Sequence, residues 1–183
     1  MRIFRLFFFT SFVCLNAFSQ DGHSTVSIGA GGGFPAGGYR TSQFSNSAAF
    51  SATYEFRFLR YIAPEVGLTN LIPNYTNFSE YGTSVSRERV TLLSIGARGV
   101  LPLANGRVEL FAGPNATHIW SSQAELTKGY QAPAWLVELD GGGRIAIDRG
   151  HRFWIGPTVR FSRDGGRPTE EWVSLTGDFA FRF

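Results

Sequence analysis

Val173-Ser-Leu-Thr-Gly-Asp-Phe-Ala-Phe-Arg-Phe183 decides how the chain is read. Successive side chains of a strand point to opposite faces, so the stretch splits into two rows. Val173, Leu175, Gly177, Phe179, Phe181 and Phe183 form one row. Ser174, Thr176, Asp178, Ala180 and Arg182 form the other. The first row is apolar and aromatic. The second carries an acid and a base. Such a strand suits a sheet closed around its polar side with its apolar side in hydrocarbon.

The same alternation recurs upstream and gives eight candidate strands. The first is Thr25–Phe34, with Val26, Ile28 and Ala30 on one face. In the second, Ala48, Phe50, Ala52, Tyr54, Phe56 and Phe58 alternate with Ala49, Ser51, Thr53, Glu55 and Arg57. The third, Tyr61–Thr69, sets Ile62, Pro64, Val66 and Leu68 against Ala63, Glu65, Gly67 and Thr69. The fourth, Arg89–Leu101, sets Leu93, Ile95 and Ala97 against Ser94, Gly96 and Arg98. The fifth, Arg107–Trp120, sets Val108, Leu110, Ala112 and Pro114 against Glu109, Phe111, Asn115 and Thr117. The sixth, Trp135–Ile147, sets Val137, Leu139 and Ile145 against Glu138, Asp140 and Arg144. The seventh, Arg152–Ser162, sets Phe153, Ile155, Pro157 and Val159 against Trp154, Thr158 and Arg160. The eighth is the stretch quoted first.

Connections alternate in length. Phe58–Tyr61, Pro102–Gly106 and Asp148–His151 are short. Phe34–Ser47, Asn70–Glu88 and Ser121–Ala134 are long and polar, and Arg163–Glu170 is intermediate. An up-and-down barrel of even strand number then carries its long loops on one side and both strand termini on the other. Ala104-Asn105-Gly106 and Arg149-Gly150 supply turn residues that tolerate positive φ. Pro64, Pro114 and Pro157 fall inside strands, where each removes a ladder donor and predicts a bulge or a missing bond. No stretch after the N-terminal region shows a useful helical period.

The N-terminal segment reads as a cleavable signal peptide over residues 1–19, leaving residues 20–183 as one barrel domain. Arg2 and Arg5 precede an apolar run, Leu6–Leu15, and Ala17-Phe18-Ser19 places small residues before Gln20. The apolar run is too short to anchor in a bilayer. The single cysteine, Cys14, lies within it; bulky Phe12 and Val13 argue against lipidation there. The mature chain then has no cysteine, and a closed hydrogen-bonded barrel holds it together without disulfides. Removing Arg2 and Arg5 takes the net charge from +3 to +1, which gives no nucleic-acid signature. The compositional outliers are Gly 22 and Phe 18, which suit strands, turns and interfacial aromatic belts.

The polar phases collect Glu55, Glu65, Glu109, Glu138, Asp140 and Asp178 with Arg57, Arg98, Arg144, Arg160 and Arg182. Six acids against five bases can satisfy one another as a network within a lumen. An eight-stranded barrel is only wide enough for side chains to fill, so these residues are expected to form a polar core plug. The functional rival is an ion pathway or an active site.

The chain resembles the small outer-membrane β-barrels typified by the transmembrane domain of outer-membrane protein A. The likeness spans about Thr25–Phe183 and rests on strand count, loop asymmetry, the charged interior and Phe179-Ala-Phe181-Arg-Phe183. In that family a terminal aromatic after alternating aromatics is read by the barrel-assembly machinery, a role the resemblance carries to Phe179, Phe181 and Phe183. It further implies a bacterial outer-membrane location, with membrane lipid and lipopolysaccharide as neighbours. Family members serve as anchors, adhesins, narrow transporters and lipid-A-modifying enzymes. Some lipid-A deacylases of this fold carry a His-x-Ser pair with an acid on the outer wall. Here the triplet is His118-Ile119-Trp120, so the serine is missing.

Other candidate chemistry is thin. His23 is expected before the first strand and His151 in a short turn, both solvated. Gly31-Gly32-Gly33 and Gly141-Gly142-Gly143 lack a following Lys-Ser/Thr and a helix, which excludes a P-loop and leaves curvature as their role. No ligand spacing points to a metal, and no cofactor is expected. Phe34, Phe58, Tyr61, Trp120, Trp135, Phe153, Trp172 and Phe183 fall near strand ends, as aromatic girdles require. The long loops carry Tyr39, Phe44, Tyr75, Phe78, Tyr81 and Tyr130 among small polar residues, a composition suited to protein or glycan contact. Period two also fits a soluble barrel turned the other way, with its apolar face inward. The signal peptide, Phe183, the loop asymmetry and the scarcity of lysine (only Lys128) favour the membrane barrel. The expected function is a non-enzymatic structural anchor or an adhesion-type surface protein. A narrow solute channel and a lipid-A-modifying enzyme are the alternatives.

Overall fold

In a computed structural model, residues 23–37, 44–57, 59, 61–121, 135–163 and 171–183 are described. The signal-peptide reading therefore lies outside the described residues. The strands are β1 (His23–Gly37), β2 (Ser47–Arg57), β3 (Ile62–Ile72), β4 (Asn74–Ser79), β5 (Gly82–Arg87), β6 (Val90–Leu103), β7 (Val108–Ser121), β8 (Trp135–Ala146), β9 (Phe153–Arg163) and β10 (Glu171–Arg182). Eight of them close into an antiparallel barrel in the order β1-β10-β9-β8-β7-β6-β3-β2. The seam is β1 against β10. There the Ser24 N–H donates to the Phe183 carbonyl (3.0 Å) and the Phe183 N–H to the Ser24 carbonyl (2.9 Å).

Register fixes the shape of the barrel. A circuit of paired residues leaves β1 at Thr25 and passes Glu55, Glu65, Gly96, Asn115, Glu138, Ser162 and Trp172. It re-enters β1 at Pro35, ten residues further on. A stagger of ten over eight strands, with about 3.3 Å rise per residue and about 4.8 Å between strands, tilts the strands by roughly 40°.

The phase of every barrel strand is decided in one direction. Ile28, Phe50, Ile95, Leu139, Val159 and Leu175 are exposed on the outer wall, while Glu55, Glu65, Glu109 and Glu138 are buried inside. The inward-apolar, soluble alternative is excluded by this arrangement. Interior glycines make room for the lumen side chains. A Cβ on Gly96 would fall on the Asn115 amide and the Pro114 carbonyl, and one on Gly142 would meet the Phe111 ring.

The prolines interrupt pairing on one side only. The β6–β7 ladder lapses between Gly96↔Asn115 and Gly99↔Ala112, beside Pro114. The β8–β9 ladder lapses between Gly142↔Thr158 and Ile145↔Ile155, beside Pro157. The β2–β3 ladder stops at Glu55↔Glu65, next to Pro64. On their other edges Pro64, Pro114 and Pro157 pair with Ala97, Leu139 and Gly177.

Four sequence expectations are corrected. The long polar connection Asn70–Glu88 is not irregular: β3 runs on to Ile72, and β4 and β5 form a separate hairpin. Its alternating Thr76, Phe78, Thr83 and Val85 pair across the strands, but its polarity in water hides the strand signal. His23 belongs to β1, opposite Arg57, and does not precede it. In the β8–β9 turn the positive φ falls on His151 (53°), whereas the β6–β7 turn has it at Ala104, Asn105 and Gly106. Trp172 is not a girdle residue. It points inward and is buried.

Candidate functional site: the filled lumen

The lumen is built in layers by the inward phases of the strands. At the short-turn end, Glu109 of β7 gathers three arginines. Arg57 donates to it at 2.9 and 3.1 Å, Arg144 at 2.8 Å and Arg182 at 2.7 Å. Arg144 also donates to Glu55 at 2.8 and 3.2 Å. Arg182 lies 4.4 Å above the Trp154 ring, so the cation is held between an acid and an aromatic face. The Trp154 Nε1–H donates to the His151 carbonyl (2.8 Å), which fixes the ring across the lumen.

Arg98 of β6 occupies the next layer. It contacts Glu65 and Asp140 and donates to Glu55 at 3.3 Å, with Phe111 stacked 4.4 Å from its guanidinium. Above it, Asn115 donates to Glu65 (2.8 Å) and Glu138 (3.4 Å), and Ser162 donates to Glu138 (3.0 Å). Arg160 donates to Thr53 (3.1 Å) and Thr176 (3.3 Å) and stands 3.9 Å from Asp178, which accepts from Thr158 (2.7 Å). All eleven charged residues expected inside are thus in the lumen, nine of them buried and Asp178 and Arg182 half-buried. A cavity of about 10 Å³ between Arg98, Phe111, Arg144, Trp154, Thr158 and Asp178 holds roughly one water.

The last layer, at the long-loop end, is apolar. Ala49, Leu71, Val90, Leu92, Ile119, Leu136 and Trp172 form one buried cluster, and Phe44 packs against it. The Phe44 ring meets Trp172 at 5.2 Å and Tyr75 at 5.1 Å. A β-bridge joins Phe44 to Tyr75, and the Ser45 N–H donates to the Asn74 carbonyl (2.9 Å). The base of the β4–β5 hairpin is thereby tied to the first long loop. The composition of the long loops suits either partner contact or ordinary loop packing for Phe44 and Tyr75; the structure packs them together over the long-loop mouth of the lumen. The signal was present, because each residue of this cluster on a barrel strand continues the inward phase of that strand to its loop end.

His118 lies on the outer wall, edge-on to Trp135 at 5.1 Å and paired with Leu93 on β6. Glu109, Glu138 and Asp140, the acids of β7 and β8, are all buried on the lumen side of the wall. Phe179, Phe181 and Phe183 project outward. Phe153 packs against Phe179 at 6.0 Å and Phe181 at 5.2 Å, and Phe181 against Phe183 at 5.9 Å. Phe78 and Tyr81 are exposed on the hairpin (69% and 100%). Tyr39 and Tyr130 lie outside the described residues, as do Phe58 and the side chain of Trp120. Among the described residues no group of three His, Cys, Asp or Glu is placed to hold a metal ion.

No family model and no curated protein sequence matches the chain. Solved structures do. Ail, the attachment invasion locus protein of Yersinia pestis, in complex with the heparin analogue sucrose octasulfate, is 17% identical with a TM-score of 0.57, over 90% of this chain and 100% of that one. The outer membrane protein OprG from Pseudomonas aeruginosa is 9% identical with a TM-score of 0.64, over 90% of this chain and 97% of that one. Neisserial surface protein A is 9% identical with a TM-score of 0.55, over 88% and 96%. At these identities the likeness is one of fold. The chain has the fold of the small eight-stranded outer-membrane β-barrels.

Proposed function

We propose that the protein spans a bacterial outer membrane and acts without catalysis, as a structural anchor and surface-interaction protein. The observation that carries this reading is the contrast between its two ends. The lumen is filled by ion pairs and closed by the Phe44–Trp172 cluster, while the β4–β5 hairpin presents Phe78 and Tyr81 to solvent. The lipid-facing wall and its aromatics fit contact with outer-membrane lipid and lipopolysaccharide. The outward ladder of Phe179, Phe181 and Phe183 fits recognition by the barrel-assembly machinery. The complex of Ail with a heparin analogue makes sulfated glycan a sensible first probe of the loops, beside protein partners.

The test is made on the refolded protein. Heat-modifiable mobility in gels and co-fractionation with outer membranes are expected, together with binding to a heparin column or to cells that weakens in Phe78→Ala/Tyr81→Ala. A protein recovered soluble from the periplasm overturns the membrane reading. A steady single-channel conductance in planar bilayers overturns the filled lumen in favour of a channel. Altered lipid A in cells expressing the protein, seen by mass spectrometry, overturns the absence of catalysis.

A further inference from the structure

We infer that the short-turn end of the barrel carries a collar of arginines, Arg107, Arg149 and Arg152, that binds the phosphate groups of acidic phospholipids. The inference rests on the outer-membrane reading, which sets the short turns at the inner leaflet. In sequence the three residues belong to turns of two separate hairpins. The fold sets those turns side by side: a Cβ on Gly106 would lie 3.8 Å from the His151 ring. The Ala146 N–H donates to the Arg107 carbonyl (2.8 Å), and the Arg182 N–H donates to the Arg152 carbonyl (2.8 Å). Neighbouring strands therefore fix the backbone at Arg107 and Arg152.

The acid in the turn of Arg149 and Arg152 is already engaged by the main chain. Asp148 accepts the N–H groups of Phe153 (2.8 Å), Arg152 (2.9 Å) and Gly150 (3.1 Å), so both its oxygens are committed to the main chain of its own turn. Among the described residues, none of the three guanidinium groups is in an ion pair. The opposite end differs. There, among the described residues, Arg87, Arg89 and Arg163 are matched in number by Glu80, Glu88 and Glu171, and Arg163 pairs with Glu171 at 3.1 Å.

Depth selects the ligand. Leu103, Ile145, Ile147 and Phe153 stand exposed on the outer wall beside the collar. The arginines thus begin where the apolar band ends, and their stems reach headgroup level. A guanidinium binds phosphate through paired N–H donors. A zwitterionic headgroup brings its own cation to this patch, whereas a phosphatidylglycerol-type headgroup does not. Each arginine near an anionic lipid surface is worth roughly a fivefold enrichment.

The experiment compares the full chain with Arg107→Gln/Arg149→Gln/Arg152→Gln, both in nanodiscs of phosphatidylethanolamine with phosphatidylglycerol. Native mass spectrometry counts retained lipids. The wild type is expected to retain phosphatidylglycerol preferentially, and the triple variant to lose at least tenfold of that preference. Arg163→Gln, at the other end, is expected to keep it. Equal preference in wild type and triple variant overturns the collar, as does a wild type that inserts but shows no preference; the barrel reading survives both results. Retention on purified peptidoglycan without lipid preference also overturns it, in favour of the cell wall. A chain that fails to insert at all overturns the membrane reading itself.

Discussion

Glu55 and Glu65 face each other directly across the β2–β3 ladder, and both point into the lumen. Like charges at directly opposed positions destabilise a strand pair. Arg57 of β2 itself lies 3.5 Å from Glu55, but the cation that reaches Glu65 comes from the next strand: Arg98 of β6 touches both acids, and Arg144 of β8 donates to Glu55. Within the β2–β3 hairpin Glu65 therefore has no cation of its own, and it gains one only when β6 pairs with β3.

Arg98 is the cation whose loss should be felt most. Arg98→Met leaves Glu65 and Asp140 buried without their shared partner and is expected to cost about 3–5 kcal/mol. Adding Glu65→Gln should recover a large part of that loss, because the pair is coupled. Urea unfolding of the refolded barrel, followed by gel mobility, measures both. Additive losses in the double variant would show that Arg98 does not act through Glu65.

The outer seal makes a separate prediction. Trp172→Ala removes the largest side chain of the apolar cluster and should cost about 3–5 kcal/mol. Phe44→Ala removes only the covering ring and should cost less, while raising protease cleavage near the base of the β4–β5 hairpin. Limited proteolysis with mass-spectrometric mapping checks this.

The outer wall is tested by a charge. Val159 lies near the middle of β9 and is exposed. In a bilayer, Val159→Arg is expected to cost about 2–4 kcal/mol. A negligible cost on refolding into vesicles would contradict a lipid-facing position.

Asp148 supplies the pH dependence. The Phe153 N–H, helped by those of Arg152 and Gly150, holds its carboxyl below its ordinary value of 3.8. A carboxyl depressed by folding stabilises the folded state above its unfolded pKa, and that contribution is lost as pH falls through the folded pKa. The stability difference between wild type and Asp148→Asn should be full at neutral pH and shrink below pH 3.8. Unfolding midpoints taken across that range measure it.

Which residues share a face is legible in the linear chain. The β-strand period is a local property, so Glu55, Arg98, Glu138 and Arg182 could be grouped without knowing which strands touch. The turn at Asn105-Gly106 and the lapses beside Pro114 and Pro157 were legible for the same reason. Direction was not in the alternation: a lipid-facing and a core-facing apolar row look alike, and the closed barrel decided it by leaving Ile95 and Val159 outside and Glu109 within. Partners follow from the closed barrel alone. The stagger of ten residues sets Arg98 against Glu65 and Asp140, and Glu109 against Arg57, Arg144 and Arg182. Register is a sum over eight ladders, and no single strand contains it. The apolar seal depends on that sum too, since Leu71, Ile119, Leu136 and Trp172 come together only once the barrel has closed.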